Sequence, residues 1–306
     1  MTSNEHLRAD SLFGLNDKVA LVSGGGTGIG LMIAKGLAVN GAIAYIGSRR
    51  REVIERAATE FNAQGGASGK LVPVELDVTS KESIQKAVEL IGSTHGKLDI
   101  LVNNAGQVGP TASFLGDPSS PHRLNAETLG TALFNNESFE VQDWSDLFRI
   151  NLTSIYFITI AFLGLLEKAS QVSGPFTASV VNITSISGST KLAQNHFAYN
   201  TSKAAADRMT QILATEFALK DVKVRVNAIA PGLFPSAMVD REGGEFGAEE
   251  TTKRSGAIVP VPGGRSGKAE EIAGSALYLV SKAGVYTNGQ ILVVDGSWLA
   301  VNPSTR

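Results

Sequence analysis

The sequence contains no cysteine among its 306 residues. That removes disulfide frameworks, thiolate nucleophiles and any zinc or iron–sulfur centre held by cysteine. Histidine is almost as scarce. His6, His95, His122 and His196 lie far apart with no HExxH pair, so no metal site is expected. Neither sign of charge dominates: 27 Lys and Arg face 29 Asp and Glu, for a net charge of −2. Neither nucleic acid nor anionic lipid is therefore an expected partner. Long apolar runs are also missing. The longest, Ile155 to Leu166, covers 12 residues, where a bilayer span needs about 20. Met1 to Asp10 has neither a hydrophobic signal segment nor an Arg-rich transit pattern, and a cytoplasmic protein is the simplest expectation. No G-x-S-x-G elbow occurs, and the Gly-Lys pairs at 69–70, 96–97 and 267–268 are followed by Leu, Leu and Ala, so no P-loop exists.

What the chain does have is apolar sequence, 43% of the total, and 33 glycines. Short β-branched runs alternate with longer helical patterns from Lys18 onward. Val19 to Val22, Ala42 to Gly47, Leu71 to Leu76, Ile100 to Asn103, Ser179 to Ile183, Val224 to Ile229 and Ile291 to Val294 read as strands. They lack clean alternation, as expected of strands covered on both faces. The pattern predicts an α/β fold: a Rossmann-type doubly wound parallel sheet in three α/β/α layers. Residues 1–17 read as a polar leader and 18–306 as a single domain. Within it, about 107–141 reads as a long surface loop and about 233–264 as a substrate lid, because loops of that length are usually functional.

Ser23-Gly24-Gly25-Gly26-Thr27-Gly28-Ile29-Gly30 follows the first strand and opens a helix. Small residues there let backbone amides approach a pyrophosphate, and the helix N-terminus favours its charge. A plain tight turn is the alternative. The second strand ends in Ser48-Arg49-Arg50-Arg51 with no acid before Glu52. Ser48 and Arg49 suit a ribose 2′-phosphate, so NADP is favoured over NAD, against a merely solvated basic helix start. Asp77, before Val78, can accept from an adenine amino group or serve as a helix cap. Asn104-Ala105-Gly106 closes the fourth strand with small residues suited to a flat ring system.

Tyr199 and Lys203 stand four residues apart, on one helical face. A free phenol has a pKa of about 10, and a nearby cation brings it towards neutrality for proton exchange. Ser185 lies in the loop after a strand, fourteen residues before Tyr199, where it can donate to a carbonyl oxygen or simply serve the turn.

Together with Asn151 and Arg225-Val226-Asn227-Ala228-Ile229-Ala230-Pro231-Gly232, these motifs resemble the short-chain dehydrogenase/reductase family from about Lys18 to Gly296. The resemblance implies an NADPH-dependent carbonyl reductase with Asn151, Ser185, Tyr199 and Lys203 as catalytic residues. In that reading Tyr199 is the general acid, Ser185 orients the carbonyl, Lys203 lowers the Tyr199 pKa and binds the nicotinamide ribose, and Asn151 holds a water. Ser23, Gly24, Thr27, Gly28, Ile29, Gly30, Ser48, Arg49, Asp77, Val78, Asn104, Ala105, Gly106, Pro231, Gly232, Leu233 and Ser236 become cofactor contacts alongside Tyr199 and Lys203. Ser23 and Ser236 stand where the family often has Thr, and Ser297 replaces a terminal Gly. The Pro231–Met238 segment is similar to that of rhamnolipid-type 3-oxoacyl reductases, which suggests a small hydrophobic carbonyl substrate, such as a 3-oxoacyl thioester. His196, Phe197, Phe234 and Met238 are the expected pocket; the bland reading is ordinary packing, with His196 structural. The family also implies a homotetramer or homodimer. The alternatives are an alcohol dehydrogenase working oxidatively and an NADP-binding scaffold without catalysis.

Overall fold

A computed structural model describes residues 4–136, 139–174, 177–236 and 244–305. Its strands are β1 (Val19–Ser23), β2 (Ile43–Ser48), β3 (Lys70–Glu75), β4 (Ile100–Asn103), β5 (Ala178–Ile183), β6 (Val224–Pro231) and β7 (Ile291–Val294). The helices are α1 (Ala9–Phe13), α2 (Gly28–Val39), α3 (Arg51–Gln64), α4 (Lys81–His95), α5 (Ala126–Phe134), α6 (Val141–Phe148), α7 (Ser154–Ser173), α8 (Phe197–Leu219), α9 (Ala248–Arg254), α10 (Ala269–Val280) and α11 (Trp298–Val301).

All strand pairings are parallel, in the order β3-β2-β1-β4-β5-β6-β7. This is the doubly wound, three-layer arrangement read from the sequence. Every residue of β1, β4, β5 and β6 is buried, which explains their unbroken apolar runs. One face is covered by α2, α3 and α10 through Ile33, Leu37, Ile54 and Ile272. The other is covered by α4, α7 and α8 through Ile91, Phe162 and Leu213. The chain winds outward from β1 to β3, then returns to β4 on the opposite side of β1. Loops leaving the carboxyl ends of β1 and β4 therefore diverge and leave a crevice.

A buried polar chain fixes the sheet near that crevice. Asn103 Nδ2 donates to Asn182 Oδ1 at 2.9 Å and to Thr159 Oγ1 at 3.0 Å, and Asn182 Nδ2 donates to Thr210 Oγ1 at 2.9 Å. These bonds join β4 and β5 to α7 and α8.

The segments outside the repeat carry more order than their composition suggests. Between Gln107 and Val141 lie short turns at Ser113–Gly116 and Pro121–Arg123, and then α5. Asn125 and Thr128 form a capping box that starts α5, a signal hidden among Gly, Pro, Ser and Asn. The leader holds α1, and Leu15 behind it is only 1% exposed, packed in the core. Helical geometry continues from α6 through α7, so 33 residues, Val141–Ser173, pass the length and apolarity test for a membrane span. Ile158, Phe162, Leu166 and Ala169 instead pack against the sheet.

Candidate active site

At the carboxyl end of β1 the chain must turn sharply into α2. Gly24 and Gly28 have φ of +65° and +53°, conformations that side chains disfavour. The Gly24 amide donates to the Gly47 carbonyl at 2.7 Å, hooking the turn over β2. A Cβ on Gly28 would lie 2.9 Å from the Ser236 Cβ. A Cβ on Gly30 would overlap both Asn104 Nδ2 and the Gly24 carbonyl oxygen. The Asn104 side chain donates to the carbonyls of Ser23 and Gly24, each at 3.1 Å, stitching β4 to the turn.

These loops enclose a cleft of about 590 Å³. Gly24, Thr27, Gly28 and Ile29 line it from the first turn, Ser48 and Arg49 from the end of β2, and Asp77 and Val78 from the end of β3. Asn104, Ala105 and Gly106 form the wall below β4; Tyr199, Lys203 and Ser236 close the far side. The Ser48 hydroxyl accepts from the Arg50 amide. Burial pushes the Asp77 carboxyl up, but the Thr79 hydroxyl and amide, with the charges of Arg49 and Arg149, bring it below its ordinary value. Asp77 accepts from Thr79, while Ser80 caps α4. The glycine turn, the free amides of the α2 N-terminus and the basic end of β2 make a cradle that fits a dinucleotide phosphate backbone.

Tyr199 and Lys203 sit on the first turns of α8. The Lys203 ammonium is 5.7 Å from the Tyr199 ring centroid and donates to the Ile183 carbonyl at 2.9 Å. Burial lowers its pKa to about 8, partly opposed by Asp207 one turn further along. Burial raises the Tyr199 phenol above its ordinary value, and hydrogen bonding with Ser185 pulls it back. The expected lowering by Lys203 is therefore not the governing influence: the phenol opens to the cleft but is otherwise enclosed by protein, and the cation beside it is itself poorly solvated.

Asn151 arises from a π-helical turn, Arg149–Thr153, between α6 and α7. Such bulges re-aim a side chain at functional positions. Its Oδ1 accepts from the Gln107 amide at 2.9 Å; its Nδ2 donates to the Gln107 carbonyl at 2.9 Å and to Ser202 Oγ at 3.1 Å. Ser202 in turn donates to the Tyr199 carbonyl at 2.7 Å. Both amide protons are taken, leaving one lone pair on Oδ1 for the water implied by resemblance.

The family model for short chain dehydrogenases matches residues 18–245. The chain belongs to the short chain dehydrogenase family. The dehydrogenase is 36% identical over 301 residues to the short-chain dehydrogenase/reductase PhomF of Diaporthe leptostromiformis, covering 98% of this chain and 97% of that one. It is 33% identical to the rhamnolipids biosynthesis 3-oxoacyl-[acyl-carrier-protein] reductase of Pseudomonas aeruginosa, covering 94% and 98%. The solved Pseudomonas aeruginosa RhlG/NADP active-site complex superposes with a TM-score of 0.76 at 31% identity, covering 94% and 98%. The chain is thus an NAD(P)-dependent oxidoreductase acting on CH–OH and C=O groups.

Several expected contacts lie elsewhere in the dehydrogenase. The Ser23 hydroxyl faces the backbone, accepting from the Asn104 and Ala105 amides at 3.0 and 3.2 Å, so it shapes the cleft from behind. Gly30 likewise acts by making room for Asn104. Pro231 and Gly232 end β6 beside β7, where the Gly232 amide donates to the Val294 carbonyl at 2.9 Å. Leu233 and Phe234 line a separate cavity of about 250 Å³ with Trp298. Phe234 is 2% exposed and sits against Gly267 in the core, so it is not a pocket residue beside Tyr199. Its large apolar ring gains more from burial than from a solvent-facing lid. Met238 lies outside the described residues. The His196 ring meets the Tyr199 ring edge-on at 5.9 Å, and burial lowers its pKa. Phe197 points into a third space on the other side. Two contributors were not read from the sequence: Gln107, whose backbone holds Asn151, and Ser202, which ties Asn151 to the Tyr199 turn. Their positions, directly after Gly106 and before Lys203, were the available signal.

Proposed function

We propose that this chain is an NADPH-dependent reductase of hydrophobic ketones or aldehydes, acting in the cytoplasm. Its support is the meeting of Tyr199, Lys203 and Ser185 at the end of a cleft whose other end bears Ser48 and Arg49. A bound nicotinamide dinucleotide supplies the hydride. Ser185 donates a hydrogen bond to the carbonyl oxygen, and Tyr199 gives that oxygen its proton. The phenolate left behind is stabilised by the Lys203 cation, and the Asn151–Gln107–Ser202 network holds the start of α8 in place. Steady-state NADPH oxidation with 3-oxoacyl thioesters, cyclic ketones and aldehydes tests this; no turnover of any of them would remove the proposal.

Arg49→Ala raises the Michaelis constant for NADPH about tenfold while that for NADH changes little, because one charge-assisted contact to a 2′-phosphate is lost. Equal changes for the two nucleotides would mean that Arg49 does not read the phosphate. The pH profile follows from Lys203. Its proton leaves near about pH 8, and the cation is needed as the phenol loses its own proton. The kcat/KM for reduction is therefore highest below that pH and falls above it, with an apparent value belonging to the Tyr199–Lys203 pair. A profile flat up to about pH 10 would refute the role given to this cation.

A further inference from the structure

A run of hydrogen bonds connects Ser185 to the segment expected to act as the lid. The Ser185 hydroxyl accepts from the Ser187 amide at 3.1 Å. The Ser187 hydroxyl donates to Gln194 Oε1 at 2.8 Å, and Gln194 Nε2 donates to the Ser255 carbonyl at 2.6 Å. Ser255 ends α9, and its hydroxyl accepts from Trp298 Nε1 at 3.0 Å. Ser185, Ser187, Ser255 and Trp298 are all buried, where each such bond is costly to break. An apolar contact runs beside the polar one. Ile186, between the two linked serines, shares a small core with Val261 of the lid and with Trp298 and Leu299 of α11.

Gln194 is the middle of this run, and its backbone sits in an unusual place. Its φ is 49° and that of Asn195 is 67°, the left-handed region that side chains disfavour. Two such residues in succession persist only where their surroundings hold them, and they gather at functional sites. Here the Ala112 amide donates to the Asn195 carbonyl at 2.8 Å, and the Gln194 side chain makes the two bonds above. Its planar amide accepts from one partner and donates to the other. A shift of α9 therefore pulls on Ser187 directly.

The aim of Ser185 depends on Ser187. A hydroxyl that accepts from an amide on one side keeps its own proton for donation on the other, and the Tyr199 phenol is the neighbour with which it bonds there. The Ile186–Gly188 turn is pressed onto α8: a Cβ on Gly188 would lie 2.9 Å from the Ala204 amide nitrogen. Gln194 supplies the tie from that turn to the lid. We infer that Gln194 is a positioning residue for the reduction: through Ser187 it aims the Ser185 hydroxyl at the substrate carbonyl, and through Ser255 it makes that aim depend on the seating of the lid. This rests on the reductase reading and adds to it a residue outside the lining of the dinucleotide cleft.

Hydrogen exchange at the Ser187 amide reads its bond to Ser185 in the full chain and needs no turnover. Gln194→Leu speeds that exchange about fivefold, the effect of losing one hydrogen bond. Because leucine at a positive φ can unsettle the turn, Ser187→Ala removes the same bond from the other side and keeps the amide; it gives the same acceleration. Trp298→Phe keeps an aromatic ring but loses the bond to Ser255, and speeds the exchange about twofold. In either of the first two variants kcat for the carbonyl compounds falls about tenfold, and by less than about twofold where Ser185 is already alanine. The Michaelis constant for NADPH stays within about twofold of the parent. Exchange unchanged in any of the three variants, or a loss of kcat equal with and without the Ser185 hydroxyl, would overturn the inference. Accelerated exchange in a chain that reduces none of the carbonyl compounds removes the reductase reading instead and leaves Ser185 coupled to the lid.

Discussion

Replacing Tyr199 with Phe lowers kcat for carbonyl reduction by about 10²–10⁴-fold, the range over which a positioned proton donor acts. The substitution deletes one oxygen and keeps the ring, so the edge-on contact with His196 and the packing at the start of α8 survive. Dinucleotide binding, read by energy transfer from protein to NADPH, should persist while turnover collapses. That split separates a proton donor from a side chain that merely fills the cleft. Turnover undiminished in the variant would show that the proton comes from elsewhere, and Ser185 would be the next group to test.

Gly30→Ala is expected to weaken dinucleotide binding about tenfold or more and to destabilise the fold by about 2–4 kcal/mol. Two effects oppose each other here. Alanine in the first turn of α2 is intrinsically favoured over glycine by about 1 kcal/mol. Against this, the added methyl overlaps Asn104 Nδ2 and the Gly24 carbonyl, both backed by buried structure. Overpacking costs about 1–3 kcal/mol, and displacing Asn104 sacrifices its two bonds to the turn, at about 1 kcal/mol each. The steric effect wins. Thermal unfolding and NADPH titration check both halves, and an alanine variant as stable and as tightly binding as the parent would show that the turn can give way.

Gly30 also shows how a motif is read correctly for an incomplete reason. The glycine spacing suggests backbone approach to a phosphate, yet Gly30 does not border the cleft; its lack of a side chain makes room for Asn104, 74 residues away in the sequence. Ser23 follows the same logic. The resemblance counts it among the cofactor contacts, yet its hydroxyl holds the amides that shape the wall behind the cleft.

The parallel sheet is written in the apolar runs, because strands covered on both faces must be apolar throughout and helices must alternate with them. The chemical groups available are legible in the same way: one Tyr–Lys pair at helical spacing after a Ser-bearing strand end, and a glycine turn before a helix. Which side chains face the cleft depends on how distant segments pack together. Phe234 went to the core and Phe197 to a separate groove, although both stood close to motif residues. The direction of the Tyr199 pKa was decided there as well, since burial is set by segments brought in from far along the chain and outweighs a cation whose spacing the sequence displays. Local spacing records which groups share a helix face; desolvation and the partner of each polar atom depend on contacts such as Gln107 with Asn151, and no local pattern encodes them.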